Sequence, residues 1–256
     1  MSTLSPGQFA LVYNAFSFTI AAMGAATLFL WLGRSQVTSY YKTALTISGL
    51  VTAIAFYHYV RIFDSWEAAY TLGNGVVTPS GKPFNDAYRY VDWLLTVPLL
   101  LVELILVMKL SEQETWTKSI RLGGLAALMV ALGYPGEIAT DAGTKWMWWA
   151  LAMFPFAVIV YELYSGLNVA IGSQPSNVRS YIVAARNLTV FSWCFYPVVF
   201  VLPMIGISGA ASSVGVQVGY TIADVLAKAV FGVLIYMIAV RKSEYEVERS
   251  GVAATA

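Results

Sequence analysis

Seven long apolar stretches divide the chain: Phe9 to Leu32, Thr43 to Phe63, Tyr88 to Met108, Leu122 to Ile138, Trp146 to Leu167, Tyr181 to Ile205 and Val214 to Val240. A helix needs about 20 predominantly apolar residues to cross ~30 Å of hydrocarbon. The pattern therefore predicts an all-α bundle of seven transmembrane helices, the fourth being the shortest. Connections are brief except after the second stretch, where Gly73-Asn74-Gly75 and Pro79-Ser80-Gly81-Lys82-Pro83 bracket Val76-Val77-Thr78. Turn residues around a β-branched run predict a small β-hairpin there, with an irregular loop as the competing reading. No internal repeat, low-complexity tract or linker interrupts the pattern, so residues 1–256 read as a single domain.

Composition agrees with the pattern. Hydrophobic residues make up 58% of the chain and charged residues 11%, and the mean hydropathy is +0.67, far from a soluble domain. Basic residues accumulate on the cytoplasmic side of membrane proteins. With the amino terminus outside, the inner side holds Arg34, Lys42, Lys109, Lys118, Arg121, Arg179, Arg241, Lys242 and Arg249, and the outer side only Lys82 and Lys145. The expectation is amino terminus out and carboxyl terminus in. The first stretch lacks a basic flank and is too long for an ordinary signal peptide, so it reads as helix one. A single cysteine, Cys194, excludes an intramolecular disulfide and a thiolate cluster, no metal is expected, and a net charge of +1 implies no nucleic-acid partner.

Ionisable residues inside apolar stretches then carry the argument. Lys228 lies in the middle of the last stretch, with Asp224 one helical turn before it. A lysine near mid-bilayer costs several kcal/mol unless it is neutral, paired or covalently used. In the third stretch Arg89, Asp92, Thr96 and Glu103 fall on one stripe of a helix, and Asp92 and Glu103 are separated by ~16.5 Å along its axis. With the expected orientation Arg89 is outermost and Glu103 faces the cytoplasm, a ladder of proton-accepting groups across the bilayer. Glu162 reads as an interfacial residue. Glu137 is either a structural partner near the outer surface or part of a proton release path.

A protonated Lys228 would be held by Asp92 and Asp224, with Arg89 offsetting the excess negative charge. Glu103 sits among Leu100, Leu104 and Val107 with no cation on its helix and is expected to be neutral at rest, able to give up a proton later.

Three segments in this order, Arg89-Tyr90-Val91-Asp92-Trp93-Leu94-Leu95-Thr96-Val97-Pro98, Trp193-Cys194-Phe195-Tyr196-Pro197 and Asp224-Val225-Leu226-Ala227-Lys228, resemble the microbial rhodopsin family, within it the proteorhodopsin and xanthorhodopsin branch. The resemblance implies a light-driven outward proton pump in a prokaryotic cell membrane, not an enzyme. Lys228 would carry all-trans retinal as a Schiff base. Asp92 would be the counterion and proton acceptor, Asp224 the second counterion and Glu103 the cytoplasmic donor. The family's transport modes sort by the triplet at Asp92, Thr96 and Glu103, and Asp, Thr and Glu fit proton transport. His58, the only histidine, stands where this branch keeps a histidine beside the counterion; a hydrogen bond between them would make pumping pH-dependent. Leu100 occupies the position associated with green absorption.

By the same resemblance the retinal cavity is walled by Trp93, Met129, Gly133, Trp193, Tyr196, Pro197 and Tyr220, whereas Trp31, Trp146 and Trp148 read as packing or interfacial aromatics. Members that bind a carotenoid antenna have a glycine on helix five where this chain has Trp149, so no antenna of that type is expected. Related proteins form pentamers or trimers, and Gly24, Ala25, Ala26, Gly49 and Ala53 would permit close helix contacts in a homo-oligomer. Two rivals are a photosensory receptor, which commonly lacks a carboxylate at the Glu103 position, and a chromophore-free solute transporter, which leaves Lys228 unexplained.

Overall fold

The structure is a computed structural model and describes residues 1–73, 75–207 and 209–254. Helix α1 (Pro6–Gly33) opens on a capping box: Ser5 Oγ accepts from Gln8 N–H, Gln8 returns the bond to Ser5 N–H, and Pro6 sits where no amide donor is needed. After two short 3₁₀ turns, α2 (Lys42–Ala69) runs into the hairpin of β1 (Tyr70–Gly73) and β2 (Val76–Pro79), paired antiparallel with Tyr70 opposite Pro79 and Gly73 opposite Val76. The hairpin is thus present; Asn74, at its tip, lies outside the described residues. Gly75 adopts φ 76°, a left-handed conformation that favours glycine at this turn. Leu4 adds a bridge to Val77, exchanging backbone hydrogen bonds of 2.8 and 3.1 Å, so the amino-terminal segment is stitched to the hairpin.

Helices α3 (Ala87–Met108), α4 (Glu112–Ile138) and α5 (Ala142–Tyr161) follow, α4 capped by Ser111 and α5 by Asp141. The Thr144 amide that bonds the Asp141 carboxylate holds that group below its ordinary pKa. A π stretch at Glu162–Gly166 joins α5 to α6 (Asn168–Gly172). Next come α7 (Ser176–Val201) and, in one continuous rod, α8 (Ala210–Asp224), a π turn at Val225–Val230 and α9 (Phe231–Ala254). Among the described residues the nine α-helices make seven rods.

Among the described residues six rods are long and apolar enough to cross a membrane. The exception is α4, which begins ten residues before the expected Leu122. Its first turns carry Glu112, Glu114, Lys118 and Arg121, and the Ser111 cap initiates the helix ahead of the apolar part. Hydropathy alone locates the apolar part of such a helix and misses its polar extension.

Large apolar side chains such as Phe18, Phe154 and Phe191 point outward from the bundle, as a lipid-facing surface requires. Inside, Leu100, Leu104, Ile105 and Val107 of α3 join Ile182 of α7 and Ile235 and Ile238 of α9 in the main core. A second cluster closes the end bearing the hairpin. There Trp66 is enclosed by Phe9, Phe16, Tyr70 and Phe84, with ring centroids 4.8 to 6.0 Å away. Between these two apolar masses lies a layer of buried polar groups.

Candidate functional site

The inward stripe of α3 and the π turn of the last rod meet in that layer. Lys228, Asp92, Asp224 and Arg89 are each 1% exposed, and Thr96 and Glu103 are fully buried. Lys228 Nζ donates to Asp92 Oδ2 and, at 2.9 Å, to Asp224 Oδ1. Charges this deeply buried persist only when paired and hydrogen-bonded. One lysine and two carboxylates from separate rods meet that condition together.

The two carboxylates are not equivalent. Asp224 accepts Tyr59 Oη–H at Oδ2 (2.7 Å), and at Oδ1 it accepts Tyr196 Oη–H (2.7 Å), Trp93 Nε1–H (3.2 Å) and Lys228. Both oxygens are engaged, by four donors in all, which stabilises its negative charge. Asp92 holds Lys228 on one oxygen, while its Oδ1 has no hydrogen-bond partner among the described residues. Of the pair, Asp92 has an oxygen free to take a proton.

His58 is buried with Nδ1 4.0 Å from Asp92 Oδ1, too far for the expected hydrogen bond. That nitrogen bonds the Ile54 carbonyl of its own helix at 3.0 Å instead. The Thr96 hydroxyl likewise turns back to the Asp92 carbonyl at 2.8 Å.

Arg89 stands near the two carboxylates without bonding to either. It makes no ion pair with Asp92 or Asp224; its Nη2 donates to Gln217, and its Nε is 3.9 Å from Asp86. The guanidinium lies over the rings of Phe16, Tyr59 and Tyr220 at 5.5, 6.0 and 5.4 Å. Aromatic faces favour a cation, so this cage draws Arg89 toward the end of the bundle bearing the hairpin. Its charge acts on the carboxylates through space only.

Glu103 lies on the opposite side of the lysine along α3. Its Oε2 accepts from the Ser48 hydroxyl of α2, its Oε1 has no partner, and no cation is within 4.0 Å among the described residues. A carboxyl group so placed is far cheaper to bury as the neutral acid. Glu137, at the end of α4, accepts from Tyr90 Oη–H at 3.2 Å. Glu162 pairs with Arg121 at 2.7 Å.

Beside Lys228 opens a mostly apolar cavity. Trp93, Leu100, Met129, Gly133, Trp193, Tyr196, Pro197 and Tyr220 all line it, as do Tyr90, Val97, Trp149, Met153, Phe156 and Phe200. Trp93 meets Tyr196 and Tyr220 edge-on at 5.0 and 5.4 Å, forming one wall. Gly133 makes room for Tyr90, which packs on Trp93: a Cβ at Gly133 would lie 3.3 Å from the Tyr90 ring. The Trp149 indole N–H donates to the Pro197 carbonyl at 3.2 Å.

Several groups escape sequence reasoning: Tyr59, Gln217 and Ser48. Each is a neutral polar residue inside an apolar stretch, and nothing in its spacing announces a partner on another helix. The one available signal is that Tyr59 adjoins His58.

Fold and site together define a seven-helix membrane protein whose buried lysine, paired with two carboxylates, faces an apolar cavity. The sequence model of the family described as bacteriorhodopsin-like protein matches residues 12–242. Xanthorhodopsin, whose structure is described as that of a light-driven ion pump with dual chromophore, is 51% identical with a TM-score of 0.93, covering 96% of this chain and 98% of that one. The green-light absorbing proteorhodopsin of Gamma-proteobacterium EBAC31A08 is 32% identical over 237 residues, 90% of this chain and 88% of the relative. The blue-light absorbing proteorhodopsin of Gamma-proteobacterium Hot 75m4 is 34% identical over 233 residues, 90% and 86% of the two chains. The chain belongs to the bacteriorhodopsin-like family of microbial rhodopsins.

Proposed function

We propose that this chain is a light-driven outward proton pump of a prokaryotic cell membrane, built on one retinal-binding domain with its amino terminus outside. The observation that carries the reading is the inequality of the two acids around Lys228, one saturated with donors and one with a free oxygen. The family is one of ion pumps rather than classical enzymes.

The cavity suits retinal. Its walls are largely aromatic, Gly133 leaves space beside the Tyr90 ring, and among the described residues the one amine in its lining is Lys228. Retinal held covalently by that nitrogen would supply absorption of visible light and a photoisomerisable bond.

The protein's own residues then sort the protons. Asp92 accepts the proton leaving the Lys228 nitrogen, because its Oδ1 is free. Asp224, held by Tyr59, Tyr196 and Trp93, keeps its charge and its place. Arg89, Gln217 and the Tyr90–Glu137 pair lie beyond Asp92 on the exit side. Glu103 returns a proton to the lysine nitrogen from the other side. Moving one charge against 100 mV requires ~2.3 kcal/mol, and each opposing pH unit adds ~1.4 kcal/mol.

Trp149, anchored to the Pro197 carbonyl beside the cavity, supports a pump with retinal as sole chromophore. Homo-oligomerisation as a pentamer or trimer would draw on Ala25 and Ala53, since Gly24 packs against Phe56, Ala26 lies in the bundle's own core and Gly49 is covered by Trp31 of the same chain.

Reconstitution with all-trans retinal tests the reading. A visible band, and outward acidification in light that a protonophore abolishes and Asp92→Asn removes, are expected. A coloured protein that moves no protons overturns the pump in favour of a sensor.

A further inference from the structure

Lys242 has no part in the chemistry above, yet it is 5% exposed. Its Nζ donates to the carbonyls of Val107 (2.9 Å) and Met108 (3.0 Å) and to Gln174 Oε1 (2.7 Å). All three ammonium hydrogens are engaged. The two carbonyls belong to the last turn of α3, where no intrahelical donor remains and the helix dipole is negative. Gln174, in the turn between α6 and α7, donates to Met108 O and Ala170 O, both at 3.0 Å. One ammonium group thus fastens the end of α3, the α6–α7 turn and α9 together.

The knot has a telling position. Asp92, Glu103 and Val107 follow one another along α3, so it stands one helical turn beyond Glu103, about 6 Å along the axis, on the side away from Lys228. Outside it lies a polar depression walled by Ser173, Gln174, Lys242, Tyr245 and Glu246. Inside it Glu103 is wholly buried, bonded to Ser48 alone. Water in the depression and the carboxyl group it must recharge are separated at the place where Lys242 joins three elements.

We propose that Lys242, with Gln174, is the latch of the proton entry route: a positioning residue that holds the end of α3 shut over Glu103 and must release its three acceptors before Glu103 is reloaded. A proton from the depression then ends on a Glu103 carboxylate oxygen, and the latch closes behind it. A cation suits the task because water replaces carbonyl oxygens around an ammonium readily, whereas an apolar plug has nothing to exchange.

The assignment rests on the pump reading, so the test has one arm in light and one in darkness. In full-length pigment in lipid nanodiscs, Lys242→Met is expected to raise dark amide exchange at residues 105–109 and 171–174. In light it is expected to hasten proton uptake, followed with a pH-sensitive dye, by about tenfold, the equivalent of ~1.4 kcal/mol or one charge-assisted hydrogen bond. Lys242→Arg, which keeps charge and donors, should restore both, and Gln174→Leu should shift both the same way should Lys242→Met fail to fold. Unchanged exchange, or uptake no faster than in the parent, overturns the latch. A parent pigment that takes up no protons overturns the pump reading instead, and the dark exchange still reports on the latch.

Discussion

The Tyr59 hydroxyl, donated from α2, reaches Asp224 Oδ2 at 2.7 Å and occupies the only oxygen of that carboxylate that Lys228 leaves alone. Asp92, across the same ammonium group, has no such neighbour. In the proposed cycle a single phenol therefore helps to decide which acid would serve as acceptor and which as fixed charge.

Tyr59→Phe should blur that decision. Losing a hydrogen bond to a buried anion costs about 1–3 kcal/mol, enough to let Asp224 compete for protons. The visible band of the variant is expected to titrate with pH in two steps instead of one; an unaltered titration would show that Tyr59 merely packs.

Ser48→Ala acts on the donor. Glu103 loses the one hydrogen bond recorded for it, worth ~1 kcal/mol. Its infrared carbonyl stretch is expected to move to higher frequency, and proton return to the lysine nitrogen to change rate by about fivefold. A carbonyl band that stays put would mean Glu103 is bonded elsewhere.

Gly133→Val tests the cavity wall. The new side chain begins 3.3 Å from the Tyr90 ring, tighter than an ordinary contact, and overpacking of this kind costs about 1–3 kcal/mol. The expected results are a lower yield of pigment on adding retinal and a loosened Tyr90–Glu137 bond. Full pigment yield with an unshifted band would place the chromophore away from Gly133.

Arg121→Gln supplies the contrast. Its partner Glu162 is 2.7 Å away, but the arginine side chain is 59% exposed, and exposed pairs contribute about 0–1 kcal/mol. Thermal stability should barely change and proton transport not at all. A collapse of pumping would make this pair part of the machinery.

What the sequence made legible follows from cost. Lys228, Asp92, Asp224 and Glu103 stand out because a charge in an apolar stretch is too expensive to be incidental, and the hairpin because glycines and prolines flank a β-branched run. Tyr59, Ser48 and Gln217 stay hidden because a hydroxyl or amide inside a helix is cheap, and only packing between helices decides what it touches. His58 is visible in the sequence, but not that its nitrogen is spent on the Ile54 carbonyl, and the aromatic cage around Arg89 follows from no spacing rule. Lys242 counted only as one of the basic residues setting orientation; its burial comes from the unpaired carbonyls that end α3.

The wide turn from Val225 to Val230 resets the angular relation between the two ends of the last rod. In a helix of uniform pitch, the seat of the amine between its two acids would dictate the azimuth of Lys242 fourteen residues later. A surplus residue in the turn offsets that azimuth by a fixed amount. Lys228 can thus face its two acids while Lys242 meets the carbonyls that end α3.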